Sequence, residues 1–168
     1  MTADSEAMDI CAIQRLLARY ARGIDRMDRN LLESTYWPDG IDNHPGYRGT
    51  RDDFIDHTMV LLEKHWDRTT HFLGQSLIEV DGASACAETY FYATHIRKGE
   101  KSDRFETWSG RYVDRLERRS GEWRIAERHV IIDWNNIAPF NESKDPRIPL
   151  GRRDREDKSY AIMARELA

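Results

Sequence analysis

Cysteine is scarce in this sequence: Cys11 and Cys86 stand far apart and without the paired spacing of a zinc site. That excludes a disulfide-stapled scaffold and points to a reduced, intracellular protein. No apolar run approaches the length needed to cross a bilayer, and Met1-Thr2-Ala3-Asp4-Ser5-Glu6 lacks the make-up of a signal peptide, so the cytoplasm is the expected compartment. An excess of positive charge is missing too. The formal net charge of −4 offers nothing to attract nucleic acid or an anionic membrane, and neither is expected as a partner. Several catalytic signatures are absent: there is no HExxH, no close carboxylate–histidine cluster, no glycine-rich phosphate loop and no GxSxG elbow. These absences leave no metal site and no cofactor in the expected picture. What survives is proton transfer by Asp, His and Tyr side chains.

What the sequence does have is a long paired stretch from Arg104 to Trp134. Trp108, Gly110, Tyr112, Asp114 and Leu116 fall at every second position, as do Trp123, Ile125, Glu127, His129, Ile131 and Asp133. Period two on both sides of Arg119-Ser120-Gly121 predicts an antiparallel hairpin. Its arms are about twice the usual strand length, so they must bend or coil, which favours a curved sheet with a concave face. The 168 residues suffice for a real core without staples.

The N-terminal half supplies helices to cover that sheet. Ile10, Ile13, Leu17, Tyr20 and Ile24 predict an amphipathic helix over 9–24, with Asp9 as N-cap, and a short helix over 28–34 follows. Pro38-Asp39-Gly40 and Pro45-Gly46 bracket a small strand pair. Thr50 with Asp53 has the form of a capping box opening a helix over 51–65. Strands are expected over 69–80 and 83–97, with a turn at Lys98-Gly99-Glu100-Lys101. Beyond Trp134, Pro139, Pro146 and Pro149 punctuate a polar segment that ends in a stripe of Tyr160, Met163 and Leu167. The reading is one α+β domain over 1–138, helices segregated to one face of a curved antiparallel sheet, with a C-terminal arm over 139–168.

Among the residues that could carry chemistry, Asp25 lies just past the first helix, suited to a general base but also readable as a solvated loop carboxylate. His71 sits early in a strand, as a proton shuttle or as a core histidine bonded to a carboxylate. His95 ends the next strand, with Tyr90 and Tyr92 on its opposite side. Arg128 and His129 occupy opposite faces of the last strand, so at most one of them points into a cavity. His44, His57 and His65 read as surface or structural residues.

Four segments together, IQRLLARYARGIDRMD, TTHFLG, AETYFYATH and RYVDRLERRSGEWRIAERHVIIDW, resemble the SnoaL-like branch of the nuclear-transport-factor-2-like superfamily over residues 9–136. The resemblance implies a cone-shaped α+β fold around one apolar pocket. Its scytalone and bile-acid dehydratases imply a cofactor-free dehydratase or isomerase that abstracts a proton next to a carbonyl of a cyclic or polycyclic hydrophobic substrate. By the same resemblance Tyr20, Asp25, His71 and His95 are the catalytic candidates, and Arg128, with His129 as competitor, is the candidate for substrate contact; Tyr92 is a further candidate for substrate contact. The Ser and Asn pair by which scytalone dehydratase holds its substrate has no match here. The alternative within the superfamily is a non-catalytic ligand-binding protein or the small subunit of a ring-hydroxylating dioxygenase.

Two further expectations concern surfaces. A long sheet should not leave its convex side bare, and Phe72, Ile78, Val130 and Ile132 share parity away from His71 and His129, so a homo-oligomer is expected. The resemblance favours a trimer over a dimer. The arm over 139–168 is expected to pack over the pocket mouth or onto a neighbouring subunit, held in part by Arg152, Arg153 and Arg155.

Overall fold

The computed structural model describes residues 3–99 and 103–163. Helix α1 (Ala3–Asp25) and short helix α2 (Arg29–Glu33) lead into strands β1 (Tyr36–His44) and β2 (Tyr47–Thr50). Helix α3 (Arg51–His65) precedes four long strands, β3 (Trp66–Asp81), β4 (Ser84–Arg97), β5 (Arg104–Arg119) and β6 (Glu122–Pro139), and the short helix α4 (Lys158–Met163) closes the series. The strands form one sheet in the order β2-β1-β6-β5-β4-β3. The sheet is curved without closing into a barrel, and it is antiparallel except where β1 runs parallel to β6.

Local chemistry accounts for most of these elements. Thr50 caps α3 through a complete capping box with Asp53. Ser120 and Gly121, with φ of 53° and 85°, make the turn between β5 and β6. Helix α1 begins six residues earlier than its apolar stripe indicates. Asp9 is therefore not its N-cap: it is buried within the helix, where it accepts hydrogen bonds from Arg118 Nη1 (2.8 Å) and Trp123 Nε1 (2.8 Å). Part of the predicted turn at Lys98–Lys101, and Leu167 of the terminal stripe, lie outside the described residues.

The long arms bend where one strand carries an extra residue. Arg115 pairs with Glu127 and Leu116 with Ile125, which leaves Ala126 as a bulge. Ser109 pairs with Trp134 and Gly110 with Ile132, which leaves Asp133 as another. At the second, the backbone of β6 comes so close that a Cβ on Gly110 would lie 2.0 Å from the Ile131 carbonyl oxygen, so only glycine fits. A third irregularity falls between Leu73 and Ser76 on β3. Each bulge exchanges the faces of the residues beyond it. Trp123 and Ile125 point into the core, and past Ala126 the inward set becomes Arg128, Val130 and Ile132. Ile78 likewise packs inward. The expected convex set is thus corrected: Phe72 lies outside as predicted, but Leu77, Ile131 and Trp134 take the outer positions assigned to Ile78, Val130 and Ile132.

The core lies between the concave face of the sheet and the helices. Ile13, Leu17, Tyr20 and Ile24 of α1 meet Leu32, Tyr36, Phe54, Ile55, Leu116 and Ile125. Among the described residues no helix is long and apolar enough to cross a membrane.

Candidate active site

The concave face is not completely filled. A cavity of about 270 Å³ remains, floored by Val130 and Ile132 of β6, Trp108 and Tyr112 of β5, and Phe91, Ala93 and His95 of β4. Phe54, His57, Thr58 and Leu61 of α3 roof it. At its two sides stand His71 of β3 and His44 of β1.

Asp25 and His71 form a buried pair at this cavity. The last residue of α1 turns its carboxylate toward the start of β3, where Oδ1 accepts from Thr69 Oγ1 (2.9 Å) and from His71 Nδ1 (2.7 Å). Oδ2 accepts from the backbone N–H of His71 (2.8 Å). Three donors fix the carboxylate, so Nδ1 of His71 is committed and Nε2 is the nitrogen left for other work. The side chains of His71 and Asp25 are 9% and 12% exposed.

His95 lies beside them, its ring centroid 5.5 Å from that of His71 and 5.0 Å from that of Trp66. Burial, reinforced by the neighbouring His71 and Arg153, pushes its pKa down to about 3, so the ring is neutral at ordinary pH. Among the described residues, its Nε2 is buried without a hydrogen-bond partner, in a residue that lines the cavity. A neutral imidazole with an uncommitted nitrogen can offer one hydrogen bond to a polar group on a bound molecule.

The remaining candidates fall elsewhere. Tyr20 is buried in the layer behind the cavity and does not line it; burial raises its hydroxyl above the ordinary tyrosine range. Arg128 is fully buried, sandwiched between the rings of Tyr20 (3.9 Å) and Tyr112 (4.1 Å). Its Nε and Nη2 each donate to one oxygen of Asp114 (both 2.7 Å), a bidentate pair sealed from solvent on both sides. Arg128 therefore reaches inward, yet it does not line the cavity. Tyr92 and His129 are on the outer face and are not placed to touch a molecule in the cavity. Tyr92 alternates with the inward Phe91 and Ala93 and packs its ring edge-on to Trp134, and the bulge at Ala126 turns His129 outward to Glu127 Oε1 (3.2 Å).

The sequence reading missed His44 and His57, which both line the cavity. His57 stacks on Tyr47 with centroids 4.8 Å apart. His44 stacks on Phe54 at 4.9 Å and directs Nδ1 to Asp42 Oδ1, while Tyr36 Oη donates to Asp42 Oδ2 (2.6 Å). Asp42 is entirely buried. The signal for this second pair was the Asp-Asn-His spacing on β1, which puts residues two apart on one face.

The C-terminal arm packs against its own chain at the end of α1. Tyr160 Oη donates to Asp28 Oδ2 (3.0 Å), Arg155 lies 3.4 Å from the same carboxylate, and Arg22 stands over the Tyr160 ring at 4.8 Å. Arg153 Nη1 donates to the carbonyls of Trp66 (2.7 Å) and Leu62 (3.2 Å), where α3 passes into β3. Arg152 pairs within the arm, with Asp154 and Glu156. No described residue of the arm lines the cavity. Among the described residues, no group of three His, Cys, Asp or Glu side chains is arranged to hold a metal ion.

The profile of the SnoaL-like domain matches residues 5–129. No curated protein sequence matches the chain. Among solved structures, a hexachlorocyclohexane dehydrochlorinase (LinA) of type 2 superposes with a TM-score of 0.77 at 16% identity, covering 88% of this chain and 100% of that one. A scytalone dehydratase-like protein from Novosphingobium aromaticivorans gives 0.74 at 19% identity, over 80% of this chain and 91% of its own. A variant of Rv3472, a function-unknown protein from Mycobacterium tuberculosis, gives 0.69 at 24% identity, over 96% and 88%. At these identities the likeness is one of fold.

Proposed function

The chain belongs to the SnoaL-like domain family, and from that premise we propose that it is a cofactor-free lyase acting on a cyclic hydrophobic substrate by proton abstraction. The observation that carries this reading is the Asp25–His71 pair at the wall of an apolar cavity. In the proposed step His71 Nε2 takes a proton from the carbon next to a carbonyl. The C–H electron pair becomes a C=C bond, and a leaving group departs from the adjacent carbon with its own bonding pair. Asp25 holds the imidazole in orientation and stabilises the imidazolium that forms, most effectively in water-poor surroundings. His95 offers its free nitrogen to a substrate oxygen without competing for the proton, because burial keeps it neutral. Isomerisation follows from the same base if the proton is returned to a different carbon.

The names of two structural relatives, a dehydrochlorinase and a scytalone dehydratase-like protein, support elimination as the reaction class. An accessory-subunit role would leave a three-donor carboxylate and an uncommitted imidazole nitrogen without a task. The test is turnover across a panel of cyclic β-hydroxy- and β-haloketones. His71→Gln should lower kcat by about 100-fold or more, as expected for losing a general base. Undiminished turnover would eliminate His71 as the base.

The reading extends to assembly. Phe72, Leu77, Ile131 and Trp134 lie exposed on the convex face, so the protein is expected to pack sheet to sheet as a homo-oligomer, a trimer in preference to a dimer. Sedimentation at a concentration-independent monomer mass would refute this.

A further inference from the structure

The cavity holds a second Asp–His pair built like the first. In both, a strand histidine commits Nδ1 to Oδ1 of a buried carboxylate and lines the same apolar space. Each carboxylate is anchored further: by Thr69 and the His71 backbone N–H for Asp25, by the Tyr36 hydroxyl for Asp42. The two imidazoles stand apart. His44 is on β1 and His71 on β3, with β6, β5 and β4 between them as the cavity floor. Resting on the lyase reading above, we infer that His44 is a second catalytic residue, the general acid that protonates the leaving group, and that the substrate class is therefore a β-hydroxy carbonyl compound.

Chloride departs as a stable anion, whereas hydroxide is a poor leaving group near neutral pH and gains from a proton in the transition state. The two environments suit opposite tasks. The His71 side chain is 9% exposed and the His44 side chain 30%. Enclosure keeps water from competing for the base, while partial access to water lets a spent acid recover its proton between turnovers. The sealed Asp42 carboxylate supports positive charge on the His44 ring through Nδ1 and leaves Nε2–H for donation.

The step balances. His71 Nε2 receives the C–H proton, and that bond's electron pair forms the C=C bond. The C–O bond breaks with its pair on oxygen, which takes the Nε2 proton of His44 and leaves as water. His71 then carries the extra proton and His44 is neutral, and exchange with solvent restores both. No oxidant, reductant or metal enters.

The experiment compares a bicyclic β-hydroxyketone with the β-chloroketone of the same skeleton, on the intact protein, for wild type, His44→Gln, Asp42→Asn and His71→Gln. Far-UV circular dichroism melts verify folding of each variant. The expected result is that His44→Gln loses about 100-fold more activity on the hydroxyketone than on the chloroketone. Asp42→Asn should follow it in the same direction, whereas His71→Gln loses both activities alike. Equal losses on the two substrates, or no loss on the hydroxyketone, would overturn the acid role of His44, the latter result meaning that His71 performs both transfers. A His71→Gln protein that retains both activities overturns the base reading instead, and the His44 ratio is then judged by itself. Wild type that turns over neither compound overturns both.

Discussion

Two buried acid–base pairs lie between the sheet and its helices, and they differ in what they touch. Arg128 and Asp114 are both fully inaccessible, joined by two hydrogen bonds and enclosed by tyrosine rings. Every favourable contact the pair makes is within the protein, and it does not line the cavity. His71 and Asp25 are also buried, but among the described residues the pair joins through only one imidazole nitrogen, and the histidine lines the cavity. A pair sealed away from the cavity can hold a fold together; a pair whose imidazole lines the cavity can exchange a proton with something that enters. On the proposed reading, the difference separates charge kept for structure from charge kept for chemistry.

The comparison breaks most visibly at the sealed pair. Asp114→Ala leaves the Arg128 guanidinium buried without its carboxylate, and losing one partner of such a pair costs about 3–5 kcal/mol. Denaturant unfolding should show that loss, while any turnover that remains should keep the wild-type KM. If Asp114→Ala instead left stability intact and abolished turnover, the division between the two pairs would be misdrawn.

A smaller effect is expected in the pH dependence of stability. His95 titrates at an ordinary value of 6.5 when unfolded and at about 3 when folded, because burial opposes its charged form. Between those values the unfolded chain carries a proton that the folded chain does not. The contribution is therefore present above about pH 6.5 and lost as pH falls toward 3, at about 1.4 kcal/mol per pH unit. His95→Phe removes this titration and keeps an aromatic ring beside Trp66. Unfolding free energies from pH 6.5 to 4 should fall less steeply in the variant than in wild type. Parallel slopes would mean that His95 is not buried neutral.

Much of this was legible in the chain, and the failures share a cause. The Thr50–Asp53 box, the turn at Ser120–Gly121 and the β5–β6 arms follow from local rules, because each depends on neighbours within a few residues. Asp25 meeting His71 came through resemblance and is present as a hydrogen bond. Facing was harder. Alternation fixes parity only until a bulge intervenes, and the extra residue at Ala126 moved Arg128, Val130 and Ile132 inward and His129 outward. Asp9 was misread as a cap because its partners, Arg118 and Trp123, lie more than a hundred residues away. His44 was passed over although Asp42 and His44 share a strand face, since β1 was read as a minor element when it borders the long β6.

The central claim is that Asp25 and His71 act as one unit, and a double-mutant cycle on turnover tests it most directly. Asp25→Asn, His71→Gln and the double variant would be assayed on the substrate of best wild-type turnover, with stability measured beside each. Residues that form a unit lose activity non-additively. The account predicts that each single change lowers kcat by about 100-fold or more and that the double variant is little worse than either alone. Losses that multiply in the double variant, or a single change that leaves kcat intact, would contradict it.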